Sequence, residues 1–252
     1  MVSLNNSIQQ EKKVAVACRG IIRDFGAGQA VTRVLHGIDL EVFVGEITFL
    51  VGPSGCGKTT LISIIAGLLN PTSGSIHLFG EEIGAMRSSR LVDFRSKNIG
   101  FIFQQFNLLP SLTAAENAAV PLIGQGVSFR KAVAEAVATL EQLEMGKHAK
   151  KYPNQLSGGQ QQRVAVARSL VHHPRLIICD EPTASLDATT GQAVMEMLKK
   201  LASSIDRAII VVTHDNRIFS FADRIAHIAD GKIREIERPS NSDSLRITPT
   251  EF

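Results

Sequence analysis

Apolar positions in this chain fall into two textures. Ile47–Val51, Leu176–Cys179 and Ala208–Thr213 are short, nearly unbroken apolar runs, and they predict buried strands. Val14–Cys18 and Val34–Val44 are rich in β-formers, are separated by Gly26-Ala27-Gly28, and also read as strands. Ser73-Gly74 and Gly80 bracket a further strand over Ser75–Phe79, and Asn98–Phe103 is another. Lys58–Leu69 has helical spacing. From Ser111 the texture turns helical: Thr113-Ala-Ala-Glu116 has the form of a capping box. Phe129, Val133, Ala136, Val137, Leu140 and Leu143 recur at helical spacing and predict one packed stripe. This helical block ends near Lys151-Tyr152-Pro153. Ser157–Leu170 and Gln192–Leu201 then read as helices, and Asp223–Glu237 as two strands around Asp230-Gly231. The tail from Pro239 to residue 252 is Ser/Asn-rich and expected to fray. The pattern is an α/β alternation interrupted by a block of helices, with no internal repeat.

Two strand ends carry chemistry. Gly52-Pro53-Ser54-Gly55-Cys56-Gly57-Lys58-Thr59 fits G-x-x-x-x-G-K-[ST], follows a strand and opens a helix. Glycines there let backbone N–H groups turn toward phosphate oxygens, and the helix N-terminus adds partial positive charge. Lys58 brings a full charge to the β- and γ-phosphates, and Thr59 a hydroxyl for Mg²⁺. Cys56 within the loop is either a small filler or a thiol whose modification blocks ATP. Leu176-Ile-Ile-Cys-Asp180-Glu181 ends a buried strand in two carboxylates. Asp180 suits a Mg²⁺ ligand, and Glu181 suits a group that orients an attacking water. His214 ends another apolar strand, where a lone histidine is commonly structural, and Gln104 has no meaning by itself.

Leu156-Ser157-Gly158-Gly159-Gln160, followed by Gln161-Gln162-Arg163, opens a helix and forms a second anion-binding N-terminus. With this motif the chain resembles the ATP-binding cassette family over nearly its whole length. The resemblance implies a P-loop NTPase (RecA-like) α/β core, at about 14–100 and 157–238, with an antiparallel β subdomain. An inserted α-helical subdomain would occupy about 104–156. Gly52–Thr59, continuing to Thr60, and Ile177–Glu181 would be the two Walker motifs. Leu156–Gln160 would be the signature, with Ser157, Gly158, Gly159 and Gln160 acting on ATP held by a partner copy. Gln104 would sit in the Q-loop, joining Thr59 and Asp180 around Mg²⁺. Ser185-Leu186-Asp187 would be the D-loop, with Asp187 at the nucleotide, and His214 the switch histidine. Phe25 resembles the aromatic residue that stacks on adenine, although the family's usual residue is Tyr. The implied catalytic residues are Glu181, His214, Gln104 and Lys58, the implied cofactors ATP and Mg²⁺, and the implied assembly a head-to-tail dimer with two competent sites.

Gly100–Asn117 and Asp180–Asp187 are similar to the macrolide-export and lipoprotein-release ATPases, which implies export or lipid extraction through a separate integral membrane permease. Phe106, Leu108, Leu109 and Leu112 then either line a groove for a short helix of that partner or belong to the core. An amino-acid importer, or a cassette ATPase outside transport, remains an alternative. A sugar importer would carry a further C-terminal domain, a repair ATPase long coiled coils, and a translation ATPase two cassettes.

Composition narrows the setting. The chain has 252 residues, 44% of them hydrophobic, enough for one sizeable domain. A formal charge of +3, with loose basic clusters at Arg87–Lys97 and Lys147–Lys151, describes a solvated surface rather than a nucleic-acid footprint. Weak attraction to an anionic membrane face stays open. Cys18, Cys56 and Cys179 are too far apart to read as a metal or redox pair, which suits a reducing compartment. Met1–Lys13 lacks an apolar signal region, and no apolar run approaches the ~20 residues of a membrane span. The expectation is a cytoplasmic protein held at the inner membrane face by its permease.

Overall fold

The computed structural model describes residues 12–26, 28, 30–202 and 207–239. The expectations for a polar N-terminal stretch and a frayed tail lie outside these residues, apart from Lys12, Lys13 and Pro239. In chain order, β1 (Val14–Phe25) and β2 (Thr32–Phe43) precede β3 (Ile47–Val51), which leads into α1 (Lys58–Ile65). β4 (Ser73–Leu78), the short β5 (Glu81–Glu82), α2 (Ser88–Asn98) and β6 (Ile99–Ile102) follow. The middle of the chain is helical, with α3 (Ala114–Gly124), α4 (Phe129–Gln142) and α5 (Gly158–Leu170). β7 (Leu176–Asp180), α6 (Ala188–Ala202), β8 (Ala208–Thr213), β9 (Arg224–Ala229) and β10 (Lys232–Glu237) come last.

The strands form two sheets. One is antiparallel, in the order β2-β1-β4-β5; the other has the order β10-β9-β3-β8-β7-β6 and is parallel except for its edge strand β10. Every residue of β3 and β8 is buried, which is why these strands read as continuous apolar runs. Alternate residues serve opposite faces. Ile47, Phe49, Val51, Ile177, Cys179, Ile209 and Val211 join one core with residues of α3 to α6. Leu50, Leu176, Ile178, Ile210 and Val212 join another with α1 and the antiparallel sheet. Edge strand β10 presents Lys232, Arg234, Glu235 and Glu237 to solvent, charges that discourage pairing with another chain.

Several element limits differ from the sequence pattern, each for a local reason. β1 runs on past Cys18 because a register shift between Cys18 and Ile21, with Gly20 at φ 57°, breaks the alternation and restarts it. α1 stops at Ile65, short of Leu69. Gly67 adopts φ 63°, its N–H donates to Ile64 O, and Leu68 N–H donates to Ser63 O, a Schellman end. α2 has no counterpart in the apolar pattern because Phe94 is its only buried residue, so it carries no apolar stripe. α6 starts earlier than Gln192, directly after Asp187. The predicted stripe is buried at Ala136, Leu140 and Leu143 and half-buried at Val133 and Val137, with Ala132 added to it, but Phe129, at the first turn of α4, is 56% exposed.

The expected capping box is present: Glu116 N–H donates to Thr113 Oγ1 and Thr113 N–H donates to Glu116 Oε2. One turn on, fully buried Asn117 fastens the irregular segment before α3. Its Oδ1 accepts from Leu109 N–H at 2.7 Å, and its Nδ2 donates to Leu109 O, Leu112 O and Thr113 O at 3.0, 2.9 and 3.1 Å. Asn117→Leu keeps the branched shape but strips Leu109 N–H and Leu112 O of their partner, while Leu109 O and Thr113 O keep their backbone donors. It should cost about 3 kcal/mol in urea unfolding.

Candidate active site

Register brings the chemistry together. Val51 lies opposite Thr213 on one side and His227 on the other, Asp180 opposite Val212, and Ile102 opposite Cys179. The loops leaving the carboxyl ends of β3, β6, β7 and β8 therefore emerge along one edge, where open α/β sheets bind ligands. A cleft of about 610 Å³ opens there. Pro53, Ser54, Gly55, Gly57, Lys58, Thr59 and Thr60 line one part of it, and Gln104, Asp180, Glu181 and His214 another. Val34 and Val212 also line it; nothing in the sequence distinguished these two from ordinary core positions.

The loop is shaped by contact as much as by freedom. A Cβ on Gly52 would lie 2.0 Å from Ile228 O in the neighbouring strand β9. Gly57, at φ 101°, caps α1 in a left-handed conformation and would drive a Cβ to 2.7 Å from Leu35 Cδ2. Lys58 is 8% exposed, and its Nζ donates to Gly52 O and Pro53 O, both at 2.8 Å. The ammonium is thus held over the loop by neutral carbonyls, with no carboxylate bonded to it among the described residues. Cys56 does not line the cleft: it is 6% exposed and packs in the core beneath the loop, with Sγ 3.7 Å from Lys58 Nζ. Of the two readings of this residue, the packing one matches its position.

Beyond β7 the backbone turns sharply. Glu181 N–H still donates to Val212 O at 2.9 Å, yet its φ is 50°, a left-handed conformation that costs a non-glycine residue about 1–2 kcal/mol. The Glu181 carboxylate accepts a hydrogen bond from His214 Nδ1 at 2.7 Å. The Glu181 side chain is 13% exposed and that of His214 71%. Sequence reading treated these two residues separately, and only the adjacency of β7 and β8 joins them. Burial, and then the neighbouring Glu181 charge, raise the pKa of Asp180 above the usual carboxylate value, with Lys58 opposing them.

The remaining predicted residues stand apart. Phe25 ends β1 opposite Thr32, two residues before Val34 of the cleft wall. Its ring is 40% exposed, with the Arg23 guanidinium 4.5 Å from the ring centroid. Ser157 caps α5: its Oγ accepts from Gln160 N–H, and Gln160 Oε1 accepts from Ser157 N–H. Ser157, Gly159 and Gln160 line a separate pocket of about 290 Å³ that shares no lining residue with the cleft. A Cβ on Gly158 would lie about 4 Å from Ser185 O and Phe106 Cζ, an ordinary contact, whereas a Cβ on Gly159 would lie 2.5 Å from Thr190 Cγ2. Asp187 accepts from Thr190 N–H and Oγ1 at 3.0 and 2.6 Å, bonds that lower its pKa. Within this chain Asp187 serves the start of α6 and not the cleft.

Sequence reading also missed Arg168, a half-buried cation on α5. It donates to Phe106 O and Asn107 O at 2.8 and 2.6 Å, gripping the loop that carries Gln104. Burial lowers its pKa. An arginine inside the otherwise buried run Val164–Leu170 was the available signal. Of the four residues expected to line a groove, only Leu109 is largely exposed, at 48%, while Phe106, Leu108 and Leu112 are half-buried.

Comparison with known proteins agrees with this geometry. A family model described as ABC transporter matches residues 35–184. An ABC transporter ATP-binding protein of Thermotoga maritima is 42% identical over 214 residues, covering 85% of this chain and 91% of that protein. The lipoprotein-releasing system ATP-binding protein LolD of Shewanella denitrificans is 40% identical, covering 88% and 95%. The macrolide export ATP-binding/permease protein MacB of Rhodopirellula baltica is 39% identical over 90% of this chain but only 34% of its own length. Among solved structures, a dimeric ATP-binding cassette in a post-hydrolysis state with ADP and Pi superposes with a TM-score of 0.81 at 37% identity, covering 88% of this chain and 98% of that one.

Gly52→Ala sets a methyl group against the backbone of β9, which cannot yield cheaply. The melting temperature should fall by roughly 5–10 °C. Gly55→Ala meets no atom within 4 Å beyond its chain neighbours and bears only the cost of a side chain at φ 78°, so it should lose less in the same thermal scan.

Proposed function

The chain belongs to the ABC transporter family, and we propose that it is the ATP-hydrolysing subunit of a transporter that works as a pair of copies. Through a separate membrane subunit it drives export, or the extraction of lipid or lipoprotein. The observation that carries the paired reading is the separation of its two phosphate-facing parts. Lys58, Thr59, Gln104, Asp180, Glu181 and His214 share one cleft, while the capped N-terminus of α5 lines another pocket. A second copy placed head to tail supplies Ser157, Gly158, Gly159 and Gln160 to the first copy's cleft, with Asp187 near the junction. A dimeric relative bound to ADP and Pi supports this arrangement.

In this reading Phe25 offers its exposed ring to the adenine. Lys58 exchanges two loop carbonyls for β- and γ-phosphate oxygens, so no charged partner has to be broken away first. The Thr59 hydroxyl, the Asp180 carboxylate and the Gln104 side-chain carbonyl are hard oxygen donors within one cleft, a set that fits Mg²⁺. A half-buried carboxylate whose charge is disfavoured fits a cation too. When bound, Mg²⁺ neutralises charge on the transferred phosphoryl group. Glu181 orients the attacking water, and His214 holds Glu181 and then the γ-phosphate. Residues 14–100 and 157–238 act as the nucleotide core, and 104–156 as the helical part that meets the membrane subunit. Exposed Leu109, Val120 and Ile123 offer apolar surface there. Among the described residues no helix is long and apolar enough to cross a membrane. The site of work is the cytoplasmic face of the cell membrane, and its relatedness to LolD and MacB favours export or extraction over import.

Glu181→Gln should lower ATP turnover by about 10²–10⁴-fold while ATP still binds, and near-normal hydrolysis would refute Glu181 as the base. Trapped with ATP in native membranes, the same variant should bring down a membrane subunit. Recovery of a permease with a solute-binding protein would make the chain part of an importer.

Asp180→Asn separates stability from function. A raised folded-state pKa means that the charged form lowers stability at neutral pH, a penalty that fades as pH falls through that pKa. The amide removes it. The nucleotide-free protein should melt higher than wild type, and Mg²⁺-dependent stabilisation by ATP should disappear.

A further inference from the structure

Helix α5 does more than present Ser157. Gln162, about 7.5 Å further along the helix axis, is 1% exposed. Its Nε2 donates to Pro182 O at 2.9 Å. Pro182 directly follows Glu181 and has no N–H of its own, so its carbonyl is the one backbone polar group it offers the turn. Other hydrogen bonds on that turn run from Glu181 N–H to Val212 O and from Ala184 N–H to Glu181 O, at 2.9 and 3.2 Å. Gln162 Oε1 is buried and has no hydrogen-bond partner among the described residues. An apolar side chain of similar length would fill the same space without that unsatisfied acceptor. For stability alone Gln162 is a poor choice, and its one observed side-chain bond goes to the turn that keeps Glu181 at φ 50°.

We propose that Gln162 is a positioning residue for Glu181. It holds the Pro182 carbonyl, keeps the strained turn closed, and so aims the Glu181 carboxylate into the cleft and at His214. Because Gln162 and Ser157 share one helix, the end that meets the partner copy's ATP is rigidly joined to the base of its own chain's site. Arg168 continues the connection, joining the same helix to the loop of Gln104 through Phe106 O and Asn107 O. This inference rests on the reading of Glu181 as the water-orienting group.

The test uses the full chain and a double-mutant cycle of Gln162→Met and Glu181→Gln. Gln162→Met should lower kcat for ATP hydrolysis about tenfold to a hundredfold, with KM for ATP within about threefold and melting temperature unchanged or raised. In the Glu181→Gln background it should change the residual single-turnover rate by less than about twofold, since both changes disable one device. Gln162→Asn, a methylene too short to reach Pro182 O, should reproduce the kcat loss if the Met variant folds poorly. Wild-type kcat in a folded Gln162 variant would overturn the inference, and so would effects that multiply in the double variant. If Glu181→Gln alone keeps near-normal turnover, the reading of Glu181 fails and this inference with it. If Glu181→Gln is slow while Gln162→Met is normal, this inference alone fails.

Discussion

Parallel pairing of β3 with β8 and β9 is the constraint from which the rest follows. Each residue of β3 is buried, and the two cores on either side of the sheet take alternate side chains. A slip of one residue would exchange every side chain between two differently shaped cores, so the register has essentially one solution. That register aligns the carboxyl ends of four strands. The phosphate loop, the acidic turn, His214 and Gln104 reach one cleft because the strands beneath them end together. Gly52 shows how tightly this is drawn, since the loop leaves β3 so close to β9 that no side chain fits.

The cleft is held by local compromises. Glu181 sits in a backbone region that disfavours its side chain, Asp180 carries a disfavoured charge, and the buried Lys58 ammonium spends its hydrogen bonds on loop carbonyls. Each is a departure from what stability alone would select, and they concentrate where chemistry is expected. The surrounding sheet over-determines the turn. Glu181 N–H stays in the ladder with β8 while the chain bends away, and the bond from His214 fixes the carboxylate.

Helix α5 is the element that links parts remote in sequence. Its N-terminus satisfies its own cap, its middle touches the turn after Glu181, and its last turns hold the loop after β6. A helix transmits position along its axis because its backbone bonds are internal. In the proposed pair, contact at Ser157 by a second copy would be contact with a rod already attached to the turn of Glu181 and the loop of Gln104.

Much of this was legible beforehand. Continuous apolar runs marked β3, β7 and β8, the Thr113–Glu116 spacing marked a cap, and motif spacing marked Lys58, Asp180, Glu181 and the α5 N-terminus. These signals are local: they reflect burial on two faces, or backbone groups satisfied within a few residues. Other features were not local. The restart of β1 after its bulge and polar α2 obscure the periodicity on which sequence reading relies. The Glu181–His214 bond, the burial of Cys56 and the grips of Gln162 and Arg168 depend on which strands lie side by side and which helix crosses them. The amino-acid sequence by itself determined which groups can do phosphate chemistry. Only the tertiary structure decided which of them meet within one chain, and which were left facing outward at the head of α5, because hydrogen bonds between distant residues exist only once strand register has set the distances.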